Sequence, residues 1–225
     1  MTADFTYRLC QYIVNKNQDG YLTPNEFNLV INQAQLSFVN YLLGQYNQYQ
    51  YGRPNPRIQY SETIQARQSL TSVIYGYNLH IDQTGFSPYP ADYIQRDRVQ
   101  TIYGENLIRY APPERLTPML KSVIDVVSNE NPLFTIEQTG FRFYPNNLIY
   151  GQAKLHYVQT PPNIIWGYTL DGNGEPVYNP ATSVDPVFSD TDMLYIVVRA
   201  MKIVGVSLQA GAVSQYANEV KNQGQ

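Results

Sequence analysis

A chain of 225 residues with 43% hydrophobic content can bury a sizeable core and need not divide into more than one or two domains. Its formal charge of -3, without clusters of Lys and Arg, argues against a surface built to bind phosphates and release their counterions, and so against sequence-specific DNA binding. Charged residues are only 15% of the chain whereas Tyr reaches 21 copies and Asn and Gln are dispersed among periodic apolar positions, a palette of contact area and uncharged hydrogen bonding that suits extensive protein contacts.

The first element in chain order is a short helix from Phe5 to Val14, where Phe5, Leu9, Tyr12 and Ile13 recur at helical spacing. Cys10 lies within it as the single cysteine, so no intrachain disulfide is possible and a buried thiol is expected. Thr23, Pro24 and Glu26 then read as N-cap, first helical residue and capping-box partner of a second helix. Its apolar face is Phe27, Val30, Ile31, Ala34, Phe38, Tyr41 and Leu42, and Gly44 is placed to end it. The two helices are expected to form a hairpin. Gln45 to Pro56 reads equally as a projecting loop or as an exposed continuation of the second helix.

From Thr63 to His156 the spacing shifts towards alternation. Leu133, Thr135 and Glu137, then Phe141 and Phe143 across Thr139-Gly140, predict a β-hairpin. The phrase Asp82-Gln83-Thr84-Gly85-Phe86 with Tyr89-Pro90 echoes Glu137-Gln138-Thr139-Gly140-Phe141 with Tyr144-Pro145, either because two hairpins are built alike or because a segment was duplicated. Gln152 to Tyr157 and Asn163 to Tyr168 read as further strands, Asp171-Gly172-Asn173-Gly174 as a tight turn, and Leu116 to Val127 as a helix on the sheet. Ser189 caps a last apolar helix, Met193 to Val206, expected to be buried on all sides within the fold or against neighbouring subunits. The longest candidate for a membrane span, Met193 to Leu208, is interrupted by Arg199 and Lys202 and is too short to cross a membrane. Ala212 to Lys221 is a final amphipathic helix.

The expected class is therefore α+β, a single structural domain over 1–225: a helical hairpin and projecting loop (1–62), a β-rich middle (63–188) with a small mixed or antiparallel sheet, and C-terminal helices (189–225). The opening Met-Thr-Ala-Asp-Phe-Thr-Tyr-Arg lacks a basic region leading into an apolar run, so no secretory signal and a cytosolic origin are expected.

One motif matches a chemical template. In Asn15 to Glu26 the residues Asn15, Asn17, Asp19, Tyr21 (through its carbonyl), Thr23 and Glu26 fall at the ligand positions of an EF-hand calcium loop, with Gly20 at the sharp turn. Against it, the first ligand is Asn, only two carboxylates are present and no second loop pairs with it, so the alternative is a Gly turn feeding a capped helix. Templates for catalysis fail: there is no Gly-rich phosphate loop, nucleophile elbow or paired-cysteine spacing, and His80 and His156 stand among apolar strand residues. Asp82 and Glu137 flank turns, where acids are ordinarily just solvated. No enzyme activity and no cofactor is expected.

Two stretches carry a family likeness. Tyr12-Ile13-Val14-Asn15-Lys16-Asn17-Gln18-Asp19-Gly20-Tyr21-Leu22-Thr23-Pro24-Asn25-Glu26-Phe27-Asn28, with Ala34-Gln35-Leu36 behind it, and Pro176-Val177-Tyr178-Asn179-Pro180-Ala181-Thr182-Ser183-Val184-Asp185-Pro186 together resemble the virion neck or ring proteins of crAss-like tailed bacteriophages of gut Bacteroidetes. Phe188-Ser189-Asp190, the helix with Arg199, and Gly205-Val206-Ser207-Leu208 extend the likeness, so that it brackets most of the chain. The resemblance implies a structural subunit of a head-to-tail connector, a closed adaptor ring of about twelve copies below the portal protein that continues the DNA channel to the tail. Its partners would be further copies, the portal and other neck or tail ring proteins, with genomic DNA passing through unread and no membrane involved. It would be located in the virion neck after assembly in the host cytoplasm.

Two segments are candidate interfaces. Tyr178, Asn179 and Pro180 begin a proline-stiffened phrase that is either an interface loop or an ordinary connection between strand and helix. Val213, Tyr216 and Val220 form an apolar stripe on the last helix that would meet the portal or pack on its own subunit. The alternative function is a calcium-binding interaction module using the loop at 15–26.

Overall fold

Helix formation at the N-terminus is fixed by local caps. In a computed structural model describing residues 1–16, 20–51, 59–101, 106–146 and 153–205, helix α1 (Ala3–Lys16) opens with Thr2 Oγ1 accepting the Phe5 N–H at 3.2 Å and Asp185 Oδ1 accepting that of Ala3 at 2.8 Å. Its buried residues, Ala3, Thr6, Tyr7, Cys10 and Val14, trace one helical stripe. Phe5 and Tyr12, expected on that stripe, are exposed instead.

Helix α2 (Pro24–Tyr51) begins in the expected capping box: Glu26 Oε2 accepts the Thr23 N–H at 2.9 Å, and Thr23 Oγ1 accepts the Glu26 N–H at 3.4 Å. Phe27, Ile31, Ala34, Phe38 and Leu42 are buried, whereas Tyr41 is exposed. Gly44 does not end the helix. A Cβ there would meet nothing within 4 Å, so the residue is an exposed interior glycine whose cost, about 1 kcal/mol relative to Ala, is too small to stop a helix anchored by the packing on its N-terminal side. Of the stretch left open between loop and helix, the part to Tyr51 is helix and 52–58 lies outside the described residues.

Helix α3 (Gln59–Thr71) falls partly where alternation suggested strand; Ala66, Ser69 and Leu70 are its buried positions, a helical spacing among otherwise polar residues. α2 packs chiefly along α3 and the last described helix rather than pairing with α1 as a hairpin. That last helix, α5 (Asp190–Val204), is capped by Ser189, whose Oγ accepts the Asp192 N–H at 3.2 Å, and it ends at Gly205 with φ of 78°. It is not buried all round. Met193, Ile196, Val197, Ala200 and Met201 face inward while Leu194, Tyr195, Val198, Ile203 and Val204 are exposed. The expected helix at Ala212 to Lys221 lies outside the described residues.

The sequence suggests one continuous body, but contacts gather into two compact units, Met1–Ser72 with the chain from Pro161 onward, and Val73–Thr160. The second unit holds two sheets. Strands β1 (Ile74–Asn78), β7 (Ala153–Gln159) and β3 (Tyr93–Thr101) form an antiparallel sheet in the order β1-β7-β3. β2 (Phe86–Pro88), β6 (Gly140–Tyr144), β5 (Leu133–Ile136) and β4 (Arg109–Tyr110) form the other in that order, with β4 parallel to β5. Residues of both, among them Val99, Phe134, Phe141, Phe143, Leu155 and Tyr157, make one buried core. The expected helix at 116–127 is helix α4 (Pro113–Leu120), ending where the Lys121 N–H turns back to the Thr117 carbonyl. In the first unit β8 (Tyr168–Leu170) and β9 (Pro176–Tyr178) pair across Asp171–Gly174, where Asp171 Oδ1 accepts the N–H groups of Asn173 and Glu175 at 2.9 and 2.8 Å. The class is α+β, with the strands of the described residues in three small sheets instead of one.

The two echoing phrases turn out to be neighbours. β2 and β6 pair antiparallel, Phe86 opposite Arg142 and Ser87 opposite Phe141, so exchanging the phrases reproduces the same pairs. Such pairing brings the glycines against the opposite backbone: a Cβ on Gly85 would stand 2.7 Å from the Phe143 carbonyl oxygen, and one on Gly140 would collide with that of Ser87. We expect Gly140→Ala to destabilise the protein by about 1–3 kcal/mol through overpacking against backbone. Gly44→Ala should stabilise it by about 1 kcal/mol. Chemical denaturation of both variants checks this, and a neutral Gly140→Ala would contradict the close approach.

Candidate interaction surfaces

Residues 161–166 run extended outside the named strands, and while Ile165 pairs with the Val184 backbone, alternate residues on the other side are satisfied by side-chain amides of α2. Asn32 receives the Ile164 N–H at 2.8 Å and donates to the Ile164 carbonyl at 2.9 Å. Asn28 does the same for Trp166 at 2.8 and 3.4 Å, and Gln35 Nε2 donates to the Pro162 carbonyl at 3.0 Å. The spacing is a match of two periods. Four helical residues advance about 6 Å and two extended residues about 6.6 Å, so amides one turn apart meet alternate residues of the strand. Gln35 Oε1 is buried with no partner, because the residue it faces is a proline without an N–H.

This ladder delivers Trp166 into an aromatic cluster. Tyr7 lies 4.2 Å from it by ring centroid and Phe27 5.1 Å from Tyr7, while Tyr168 and Tyr178 lie 5.9 and 5.8 Å from Trp166. The indole N–H donates to Asp4 Oδ1 at 3.2 Å. Tyr178, Asn179 and Pro180 are therefore built into their own unit. The Asn179 N–H donates to the Gly167 carbonyl at 2.8 Å and its Oδ1 accepts the Ala181 N–H at 3.0 Å, capping a single 3-10 turn (Pro180–Thr182). Ile165 bridges Val184, and the phrase ends with Asp185 at the start of α1. Among the three, Pro180 is exposed and Tyr178 and Asn179 half-buried. Val213, Tyr216 and Val220 lie outside the described residues.

Of the calcium-loop positions, Asn15 sits on α1 and Asn17 and Asp19 lie outside the described residues. Gly20 adopts φ of 105°, Tyr21 gives its hydroxyl to a contact with that of Tyr7 at 3.2 Å, and the Leu22 carbonyl accepts the Tyr7 hydroxyl at 3.0 Å. Burial, reinforced by Tyr21, pushes the Tyr7 phenol far up from its ordinary value. Glu26 is committed to Thr23, whose hydroxyl and N–H hold its carboxyl below the usual range. Among the described residues no three His, Cys, Asp or Glu side chains gather as a metal site needs.

The remaining ionisable groups flagged by the sequence are dispersed. His156 lies on β7 opposite Arg98, its pKa lowered by burial and then by Arg98 and Lys154. Asp82 closes a turn, accepting from the Thr84 hydroxyl at 2.7 Å and the Phe86 N–H at 2.9 Å, and these bonds depress its pKa. Glu137 pairs with Arg142 across the β5–β6 turn. Cys10 is buried, its thiol pushed up to about 12 by desolvation. The α2 amide ladder is visible in the sequence only as amides at positions 28, 32 and 35, which a known partner strand would be needed to single out.

In comparison with known proteins, no family model and no curated protein matches the chain.

Removing the middle rung tests the ladder. Asn32→Ala strands both polar groups of Ile164, and we expect a loss of about 2–4 kcal/mol by chemical denaturation. Gln33→Ala, on the exposed side of the same turn, should change stability by less than about 0.5 kcal/mol.

Proposed function

We propose that this chain is a structural subunit of a phage virion neck, assembling into a closed ring below the portal that continues the DNA channel to the tail. The observation that carries the reading is the outward face of α5: Leu194, Tyr195, Val198 and Val204 stand open to solvent beside the rest of an apolar helix, as expected of a surface completed by another subunit. A chain with 15% charged residues and 21 tyrosines gives the remaining surface the composition of a contact surface. Each subunit would present different faces to its two neighbours, as closed heterologous symmetry requires. Net negative charge lets DNA pass a ring of such subunits without adhering. No helix among the described residues is long and apolar enough to cross a membrane, in keeping with a place in the virion neck after assembly in the host cytoplasm.

A virion map in which this chain is located should contain it as a closed ring of about twelve copies adjoining the portal. Isolated single copies would end the proposal.

The calcium loop is read as structural. Glu26→Gln should leave assembly unchanged, whereas Gly20→Val should impair it, since φ of 105° strains any residue with a side chain. Calorimetric titration with calcium should give no micromolar binding; binding that Glu26→Gln abolishes would favour the calcium-module function instead.

A further inference from the structure

Between α4 and β5 the chain makes a projection with an apolar tip. Val123, Ile124 and Val126 are 90, 100 and 61% exposed, and α4 leading into it buries none of its own residues. Two aliphatic side chains almost fully in water and a third mostly so, within four residues, is an arrangement a subunit alone gains nothing from. It is also held in shape. The Asp125 N–H donates to Ser122 Oγ at 3.1 Å, and its carboxylate accepts from Asn131 Nδ2 at 2.7 Å and pairs with Arg109 on β4. Those bonds, Arg109 foremost, keep the Asp125 carboxyl below its usual range. Behind the tip, Ser128 and Asn131 exchange backbone hydrogen bonds at 3.4 and 3.1 Å. A polar staple thus presents the apolar tip in a set conformation, and little further ordering entropy would be lost when it docks.

The other unit of the chain carries a surface of matching chemistry. Leu194, Tyr195 and Val198 make the exposed face of α5, flanked by exposed Tyr41 with the Arg199 guanidinium 4.6 Å above its ring. Arg199 and Lys202 make this face basic, while the projection, with Asp125 already paired to Arg109, offers exposed Glu130 and Lys121. Contact of tip with tip would leave the α5 face bare. Contact of tip with α5 face covers both with one kind of interface, and because its two sides differ it can repeat from copy to copy until a ring closes.

We propose that the Ser122–Val127 projection of one copy docks on the α5 face of the next copy, Ile124 and Val123 against Leu194, Tyr195 and Val198. The assignment rests on the ring reading above and names the surfaces that would make the ring.

The test uses the full chain, Ile124→Asp, Leu194→Asp, and sedimentation velocity over a concentration series. Both positions are exposed, so thermal unfolding of each variant should match the parent. Each variant alone should self-associate at least about tenfold more weakly. Mixed in equal amounts they should form a one-to-one complex of parental affinity that grows no further, since each supplies the side the other lacks. Parental association unaffected by Ile124→Asp would overturn the docking and leave the ring reading standing. Weakening by Ile124→Asp alone would show a tip-to-tip contact, and two weakened variants that do not complement each other would equally reject the proposed pairing. A parent that stays monomeric throughout also rejects it, the ring reading then resting on the virion map alone. Flotation with phosphatidylcholine vesicles that Ile124→Asp abolishes would assign the tip to a lipid surface instead.

Discussion

An extended backbone outside a sheet must still satisfy its N–H and C=O groups, and in this chain helix side chains do that work. Asn28, Asn32 and Gln35 stand in for a neighbouring strand at Trp166, Ile164 and Pro162, while Ile165 pairs with Val184 on the other side. Much of the first unit follows from that substitution. The C-terminal part of the chain returns after the inserted Val73–Thr160 unit and is registered on α2 by directional bonds before any apolar packing need be specific. Trp166 then falls between Tyr7 and Tyr178, and the turn after β9 brings Asp185 to the first N–H of α1. Apolar contacts alone would leave the register of an extended segment on a helix free to slip, because a hydrophobic surface is non-directional. Amides fix it at every second residue.

The same principle, backbone held by local polar geometry, organises the second unit by other means. Its paired phrases meet through β2 and β6, and the glycine in each lies where the opposing carbonyl leaves no room for a side chain. The likeness is incomplete in chemistry. Asp82 spends its carboxylate on its own turn, whereas Glu137 spends its own on Arg142, which in turn lies over the Phe86 ring at 5.6 Å. A near two-fold in backbone pairing is thus overlaid with unlike side-chain bonds. The pairing answers how the phrases are used; both origins, duplication and parallel construction, remain consistent with it.

What could be read from the sequence was what neighbours within a few residues decide. The Thr23–Glu26 box, the Ser189 cap, the Asp171 turn and the β5–β6 hairpin are all closed by bonds spanning five residues or fewer, and all are present. What was misread depended on distant partners. α3 carries so few apolar residues that its helical spacing emerges only once Ala66, Ser69 and Leu70 are seen to be buried. Gly44 resembles a stop signal, but a stop requires the backbone to leave the helix, and the single glycine penalty does not force that. α1 turns Tyr7 and Cys10 inward and Phe5 outward because Trp166, far along the chain, waits for Tyr7. The amide-rich composition suggests contacts between proteins, but the part of it on α2 serves contacts within the chain.

That last point changes where intersubunit contact should be sought. A proline-stiffened phrase from Tyr178 to Pro186 has the composition of an interface loop, yet its polar groups are largely engaged: Asn179 with Gly167 and Ala181, Ser183 with Gly167 and Asn179, Val184 with Ile165, Asp185 with Ala3. Little hydrogen-bonding capacity is left there for a partner. Solvent-exposed aliphatic groups, by contrast, have no stabilising use inside the subunit, and their burial is worth about 25 cal/mol for each square ångström removed from water. In the proposed ring, association energy would thus be concentrated in surfaces left exposed by the subunit, the outward face of α5 and the tip at Val123 to Val126, whereas the phrase at 178–186 would contribute rigidity. A substitution in the phrase should therefore act on stability first and on assembly only as a consequence, and one on the tip should act on assembly alone.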